Sequence, residues 1–189
     1  MRRRRSWRDR ADADNEPPDP ATLRSTARNT AIGLLARREH AQVEIKRKLR
    51  DRGYDGELVL EVVDELTRQR LLSDERFGEM FIRSRAERGQ GPVRLRAELR
   101  QLQLPVEQIE RQLAAVALDW TELARAVRIR KFGGQPANSL SERAKQVRFL
   151  QYRGFTAEQI RAALGTRCED DLLDAGDEDN APPDLDPES

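Results

Sequence analysis

Apolar residues recur along this chain at intervals of three and four, the spacing that gathers them on one face of an α-helix. Leu23, Ala27, Ala31, Leu34 and Leu35 trace such a face through a first predicted helix, about 22–38. Ala41, Ile45 and Leu49 do the same for a second, about 41–52, which ends at Gly53. Asp55 is placed to N-cap a third, about 56–70, carried by Leu58, Val62, Val63 and Leu66. Ser73 followed by Asp74 and Glu75 opens a fourth, burying Phe77, Phe81 and Ile82, since acids in a first turn complement the helix dipole. Gly91-Pro92 opens a fifth with Leu95, Leu99 and Leu102 inward, because proline suits the first helical position. Pro105 opens a sixth with Ile109, Leu113 and Val116, and Asp119 caps a seventh bearing Trp120, Leu123 and Val127 and ending near Phe132-Gly133-Gly134. Ser139 with Glu142, and Thr156 with Gln159, have capping-box spacing and open an eighth helix, about 141–153, and a ninth, about 157–164. Period-two alternation of β-branched residues is scarce, so no sheet is expected.

The nine segments repeat. With Leu49, Leu99 and Leu150 aligned, Tyr54, Leu104 and Phe155 share the apolar position before a new helix. Glu57, Glu107 and Glu158 share its first turn, and Val59, Ile109 and Ile160 its first inward site. The period of about 50 residues makes each unit three helices. The predicted fold is all-α: three tandem three-helix repeats, 22–72, 73–118 and 119–165, forming an elongated, curved array. Residues 1–21, basic and then Pro-rich, and the acidic 166–189 carry too little apolar surface to offset the entropy of ordering, and both are expected to be disordered.

Charge sharpens this picture. The net charge is only +1, but 168–189 holds ten acids and no Lys or Arg, and 1–20 balances to +1, which leaves +10 on residues 21–167. A body so basic attracts polyanions or acidic protein surfaces. Its cations cluster: Lys46, Arg47, Lys48, Arg50 and Arg52 on the second helix; Arg83, Arg85, Arg88, Arg94 and Arg96 around the fourth and fifth. Arg125, Arg128, Arg130 and Lys131 lie on the seventh, and Lys145, Arg148 and Arg153 on the eighth. They read either as a discontinuous binding band or as ordinary solvated helix faces.

Reactive chemistry is thin. His40 is the sole histidine and Cys168 the sole cysteine, so neither a His/Cys metal set nor a Cys–His nucleophile pair can be assembled. His40 is expected to be a local packing or capping residue. Gly89-Gln90-Gly91 and Gly133-Gly134 lack the Lys-Ser/Thr of a phosphate loop. The aromatics Phe77, Phe81, Trp120, Phe149 and Phe155 fall on apolar faces and are expected in the core rather than against nucleic-acid bases. No enzyme and no cofactor are expected. No apolar run approaches the roughly 20 residues of a membrane span. The Arg2–Arg5 run leads into Ser-Trp-Arg-Asp, unlike a secretory signal, and one cysteine fits a reducing compartment. A cytoplasmic monomer is expected.

Four stretches carry a resemblance. Leu34 to Leu49, Leu71 to Arg85, Gly89 to Leu99, and Lys145 to Phe155 resemble, in order, segments of the RecX family, the regulators of the RecA recombinase. The second, Leu71-Leu-Ser-Asp-Glu-Arg-Phe-Gly-Glu-Met-Phe-Ile-Arg-Ser-Arg85, is the most specific. Arg70 stands where the family usually has Gly, Ser73 where Asp is common, and Ala41 where Ser is frequent. The resemblance implies a modular protein that lies along a RecA–DNA filament and limits filament extension, ATPase, strand exchange and co-protease activity, in DNA repair and the SOS response. It covers neither terminal extension. Its rivals are a sequence-neutral DNA-binding helical protein that acts without RecA, and an adaptor for some other helical partner. Lys46, Arg47, Lys48, Arg50, Arg52, Arg83, Arg85, Arg94, Arg96, Arg128, Arg130, Lys131, Lys145, Arg148 and Arg153 are the candidate RecA or DNA contacts.

Overall fold

The computed structural model of the chain describes residues 19–165. The N-terminal arm as far as residue 18 and the acidic tail from 166 lie outside the described residues. The described residues form nine α-helices and no strand: α1 Pro20–Leu35, α2 Gln42–Arg50, α3 Gly56–Arg68, α4 Asp74–Glu87, α5 Pro92–Gln101, α6 Val106–Ala115, α7 Trp120–Phe132, α8 Leu140–Arg153 and α9 Ala157–Leu164. They belong to two compact units, one holding α1–α6 and ending at Leu118, the other holding α7–α9 and beginning at Asp119.

Each triplet closes over the apolar positions legible in the sequence. In the first, Ala27 and Ala31 of α1 meet Ile45 and Leu49 of α2 and Val59, Val62, Val63 and Leu66 of α3 in one buried cluster. In the second, Phe77, Ile82, Leu95, Leu99 and Ile109 are withdrawn from solvent. In the third, Ala124, Val127, Leu150, Phe155, Ile160 and Ala163 form a separate cluster. Ala27 and Ala31 of α1 and Ala124 of α7 are fully buried within these clusters. Gly78 of α4 instead makes room for a side chain: a Cβ there would meet Oε1 of the buried Gln112 at 2.1 Å, and Gln112 Nε2 donates to the Glu75 carbonyl.

The repeat is written into the turns. Gly53, Gln103 and Gly154, each four residues beyond the aligned leucine, take φ of 89°, 62° and 86°. The next amide, of Tyr54, Leu104 and Phe155, then donates to the carbonyl of Leu49, Leu99 and Leu150 at 3.3, 3.2 and 3.1 Å. Such a left-handed residue closes a helix by returning two amides to its last carbonyls. Only glycine adopts it without steric cost. Gln103→Gly is therefore expected to stabilise the protein by about 0.5–1 kcal/mol, measured as a thermal shift of a few degrees. An unchanged or lower melting temperature would show that the Gln103 side chain offsets its backbone strain. Arg70 is the second left-handed non-glycine among the described residues, at φ 55°.

Helix starts follow the predicted caps. Asp55 accepts from the amides of Glu57 and Leu58, Ser73 from Arg76, and Asp119 from Thr121 and Glu122. Four hydrogen bonds around Asp55 and Asp119 fix α3 and α7; the first set holds the Asp55 carboxyl below its ordinary range, the Glu57 amide contributing most. Thr156 and Gln159 form the full capping box, each side chain bonding the other's amide. Ser139 and Glu142 form only half of theirs. Ser139 accepts from the Glu142 amide, but the Glu142 carboxylate turns to the amide of Asn138. The first helix also stops at Leu35, not 38, because the Arg37 amide bonds Leu34 in a tightened last turn.

Candidate partner-binding surface

Within the first unit, the loop before α2 and the start of α4 are tied together by polar contacts. Asp74 Oδ1 accepts from the amide of Gln42 at 2.8 Å, so a residue of the second triplet caps a helix of the first. Burial pushes the Asp74 carboxyl above its ordinary value, against the opposing effects of that amide and of Lys46. Arg76 spans Glu39 and the carbonyls of Arg70 and Leu71. Ala41, the N-cap of α2, has no hydroxyl to cap it. Glu44 alone supplies the return bond, accepting from the Ala41 amide at 3.2 Å and from both terminal nitrogens of Arg38.

His40 lies beneath this arrangement, 3% exposed, with Nδ1 3.2 Å from Glu44 Oε2. That is the local packing role expected of it. Burial lowers its pKa below the ordinary value of about 6.5, with Arg38 adding to the effect and Glu44 opposing it. The folded state therefore binds the proton less readily than the unfolded chain. His40 is neutral in both states above about pH 6.5, and as pH falls below that value protonation draws the equilibrium toward unfolding. The melting temperature is expected to drop between pH 7.5 and 5.5 more steeply in the native protein than in His40→Gln. Parallel profiles of the two would show that His40 contributes nothing to the slope.

The fifteen candidate cations divide by environment. Arg85 and Arg94 share Glu98, at 3.5 and 2.8 Å, and Arg96 forks onto Glu110 at 2.6 and 2.8 Å. Arg52 bonds the Lys48 carbonyl, and Arg153 lies over the Phe149 ring. Arg128 is 8% exposed and its Nη1 bonds the Gln135 carbonyl at 3.3 Å, which points it into the second unit rather than to solvent. Among the described residues, Arg47 and Arg50 of α2, Arg83 of α4, Arg130 and Lys131 of α7, and Lys145 and Arg148 of α8 are exposed and form no ion pair. Lys46 and Lys48 are half-buried, also without one. These nine are the cations left to act on a partner.

A groove in the first unit was not apparent in the sequence. It encloses about 670 Å³ between α2, α4 and α5, with Arg38, Arg47, Arg85, Arg88, Glu44 and Glu98 around an apolar floor that includes Met80, Phe81 and Leu102. Phe81 and Leu102 sit on predicted inward faces, yet both remain half-buried and line this opening. Helical periodicity marks an apolar face; it does not say whether a neighbouring helix covers it. Among the described residues no cluster of His, Cys, Asp and Glu could hold a metal ion, and no helix is long and apolar enough to cross a membrane.

Family models for the first, second and third three-helix domains of RecX match residues 27–66, 73–113 and 119–164. The chain is 49% identical over 145 residues to the regulatory protein RecX of Halorhodospira halophila, covering 76% of this chain and 89% of the relative. To that of Pseudomonas fluorescens it is 46% identical over 144 residues, covering 76% and 93%. A crystal structure of regulatory protein RecX shares the fold with a TM-score of 0.65 at 21% identity, over 76% of this chain and 72% of that one. The crystal structure of RecX from Lactobacillus salivarius does so with a TM-score of 0.64 at 18% identity, over 76% and 96%.

Proposed function

We propose, from the premise that this chain belongs to the RecX family, that it binds the RecA–DNA filament and limits its extension, ATPase and recombinase activity. The observation that carries this reading is the presence of all three RecX helical domains, in order, in one chain. The physical requirements are modest. A regulator of a filament needs several weak contacts spaced along one chain, because linked contacts raise effective concentration without any one of them being strong. Unpaired cations on α2, α4, α7 and α8 supply such contacts toward acidic protein surfaces or phosphate. No step of this action needs a reaction centre, a metal or a cofactor. The protein is accordingly read as a non-catalytic, cytoplasmic, monomeric regulator of DNA repair and of the SOS response.

The test is a titration of RecA ATPase on single-stranded DNA. Inhibition is expected at amounts of this protein well below those of RecA. Full RecA activity at an equimolar addition would reject the reading. The same exposed cations favour a second reading, sequence-neutral DNA binding that acts without RecA. It requires DNA affinity that falls steeply with salt through counterion release, by about 0.9 in log affinity per log salt for each phosphate neutralised. Weak DNA binding beside robust filament binding would dispose of it.

A further inference from the structure

We infer that the groove between α2, α4 and α5 is a docking site for a partner's acidic peptide segment carrying a bulky apolar residue. Two features of the groove define that occupant. Its rim is cationic: four guanidinium groups, of Arg38, Arg47, Arg85 and Arg88, face two carboxylates, of Glu44 and Glu98. Arg38 is engaged by Glu44, and Arg85 approaches Glu98 at 3.5 Å, but Arg47 is exposed and forms no ion pair among the described residues. A carboxylate entering the groove therefore finds a guanidinium able to take it in a charge-assisted, two-bond contact. Its floor is apolar, with half-buried Met80, Phe81 and Leu102 presenting surface that an aliphatic or aromatic side chain would cover. The volume, about 670 Å³, lies within the range of sites that hold a compact ligand.

The same geometry disfavours a nucleic-acid strand. Glu44 and Glu98 oppose any anion alike, but a run of phosphates brings no apolar side chain to cover Met80 and Leu102. The Arg85 guanidinium carbon already lies 5.0 Å from the Phe81 centroid and the Phe77 ring 5.6 Å away, which leaves the exposed part of Phe81 to an apolar side chain rather than to a stacked base. A peptide places its charges at intervals and its apolar side chain between them, which matches a cationic rim around an apolar floor.

The inference deepens the filament-binding reading, and rests on it only in taking the occupant to be a protein. The test is fluorescence anisotropy on the full chain with a labelled synthetic hexapeptide, Asp-Glu-Leu-Leu-Asp-Glu. Controls are Asp-Glu-Ser-Ser-Asp-Glu, of equal charge, and an unlabelled oligothymidylate competitor. The leucine peptide is expected to bind, the serine peptide to bind at least about tenfold more weakly, and the oligonucleotide to compete poorly. Arg47→Glu, which reverses an exposed charge, and Ser84→Trp, which fills the groove from its wall, should each weaken the leucine peptide by about tenfold or more while circular dichroism stays native. The inference is overturned by any of three results: no saturable binding up to about 1 mM protein, equal binding of the two peptides, or full affinity in both variants. Efficient displacement by the oligonucleotide would also overturn it, in favour of a phosphate site. RecA ATPase inhibition measured on the same samples keeps the two claims apart. Inhibition without peptide binding removes the groove alone, and peptide binding without inhibition removes the RecA reading alone.

Discussion

Leu99→Ala is expected to destabilise the first unit by about 3–5 kcal/mol, the usual cost of emptying a fully buried leucine site. Leu99 has no exposed surface, and its carbonyl receives the Leu104 amide that closes the repeat's turn. The side chain fills the core of its triplet, while the carbonyl, which alanine retains, closes the turn before α6. A domain's whole margin is about 5–15 kcal/mol, so the variant should melt many degrees lower. Leu49 and Leu150 occupy the equivalent sites, each fully buried and each accepting the corresponding amide. Their alanine variants should cost a similar amount, Leu150→Ala acting on the second unit's own cluster. Thermal and urea melts of the three variants check this. A cost below about 1 kcal/mol at any one would show that its column of the repeat is not structurally equivalent.

Reversing four exposed cations, Arg50→Glu, Arg83→Glu, Lys145→Glu and Arg148→Glu together, is expected to raise the concentration for half-inhibition of RecA ATPase by about a hundredfold. None of the four forms an ion pair or side-chain hydrogen bond among the described residues, so their loss breaks no internal polar contact. They are spread over α2, α4 and α8, and the sum of their contributions is what the proposed function uses. Circular dichroism should stay native, and residual inhibition should weaken further with salt, since exposed charges are screened. Unchanged inhibition by a folded quadruple variant would mean that the cations are solvated helix faces and that the filament is held by something else.

The helices were legible because each signal is local. Asp55, Ser73, Asp119 and Thr156 cap the helices they were expected to cap, each with its own side-chain oxygen. The repeat was legible through Leu49, Leu99 and Leu150, and the left-handed column of Gly53, Gln103 and Gly154 became visible only in the backbone, because glutamine hides it. The structure departs from the local signals where a side chain bonds another partner. The Glu142 carboxylate accepts from the amide of Asn138, not from that of Ser139 as the capping-box spacing predicts. The candidate surface was the least legible feature. Composition identifies arginines but not their partners: Arg96 faces Glu110 fourteen residues away, and Arg128 is buried against a loop carbonyl. The groove was hidden for the same reason, since Phe81 follows Phe77 at helical spacing and nothing local tells that one is covered and the other half-open.

The proposed function requires that this chain occupy the RecA filament. The most direct measurement follows fluorescent RecA assembling on single molecules of single-stranded DNA, with and without this protein. Filament growth is expected to slow or reverse when this protein is present at a small fraction of the RecA concentration, with the labelled protein found on the filament. Growth at an undiminished rate, with the labelled protein absent from RecA-covered DNA, would contradict the account.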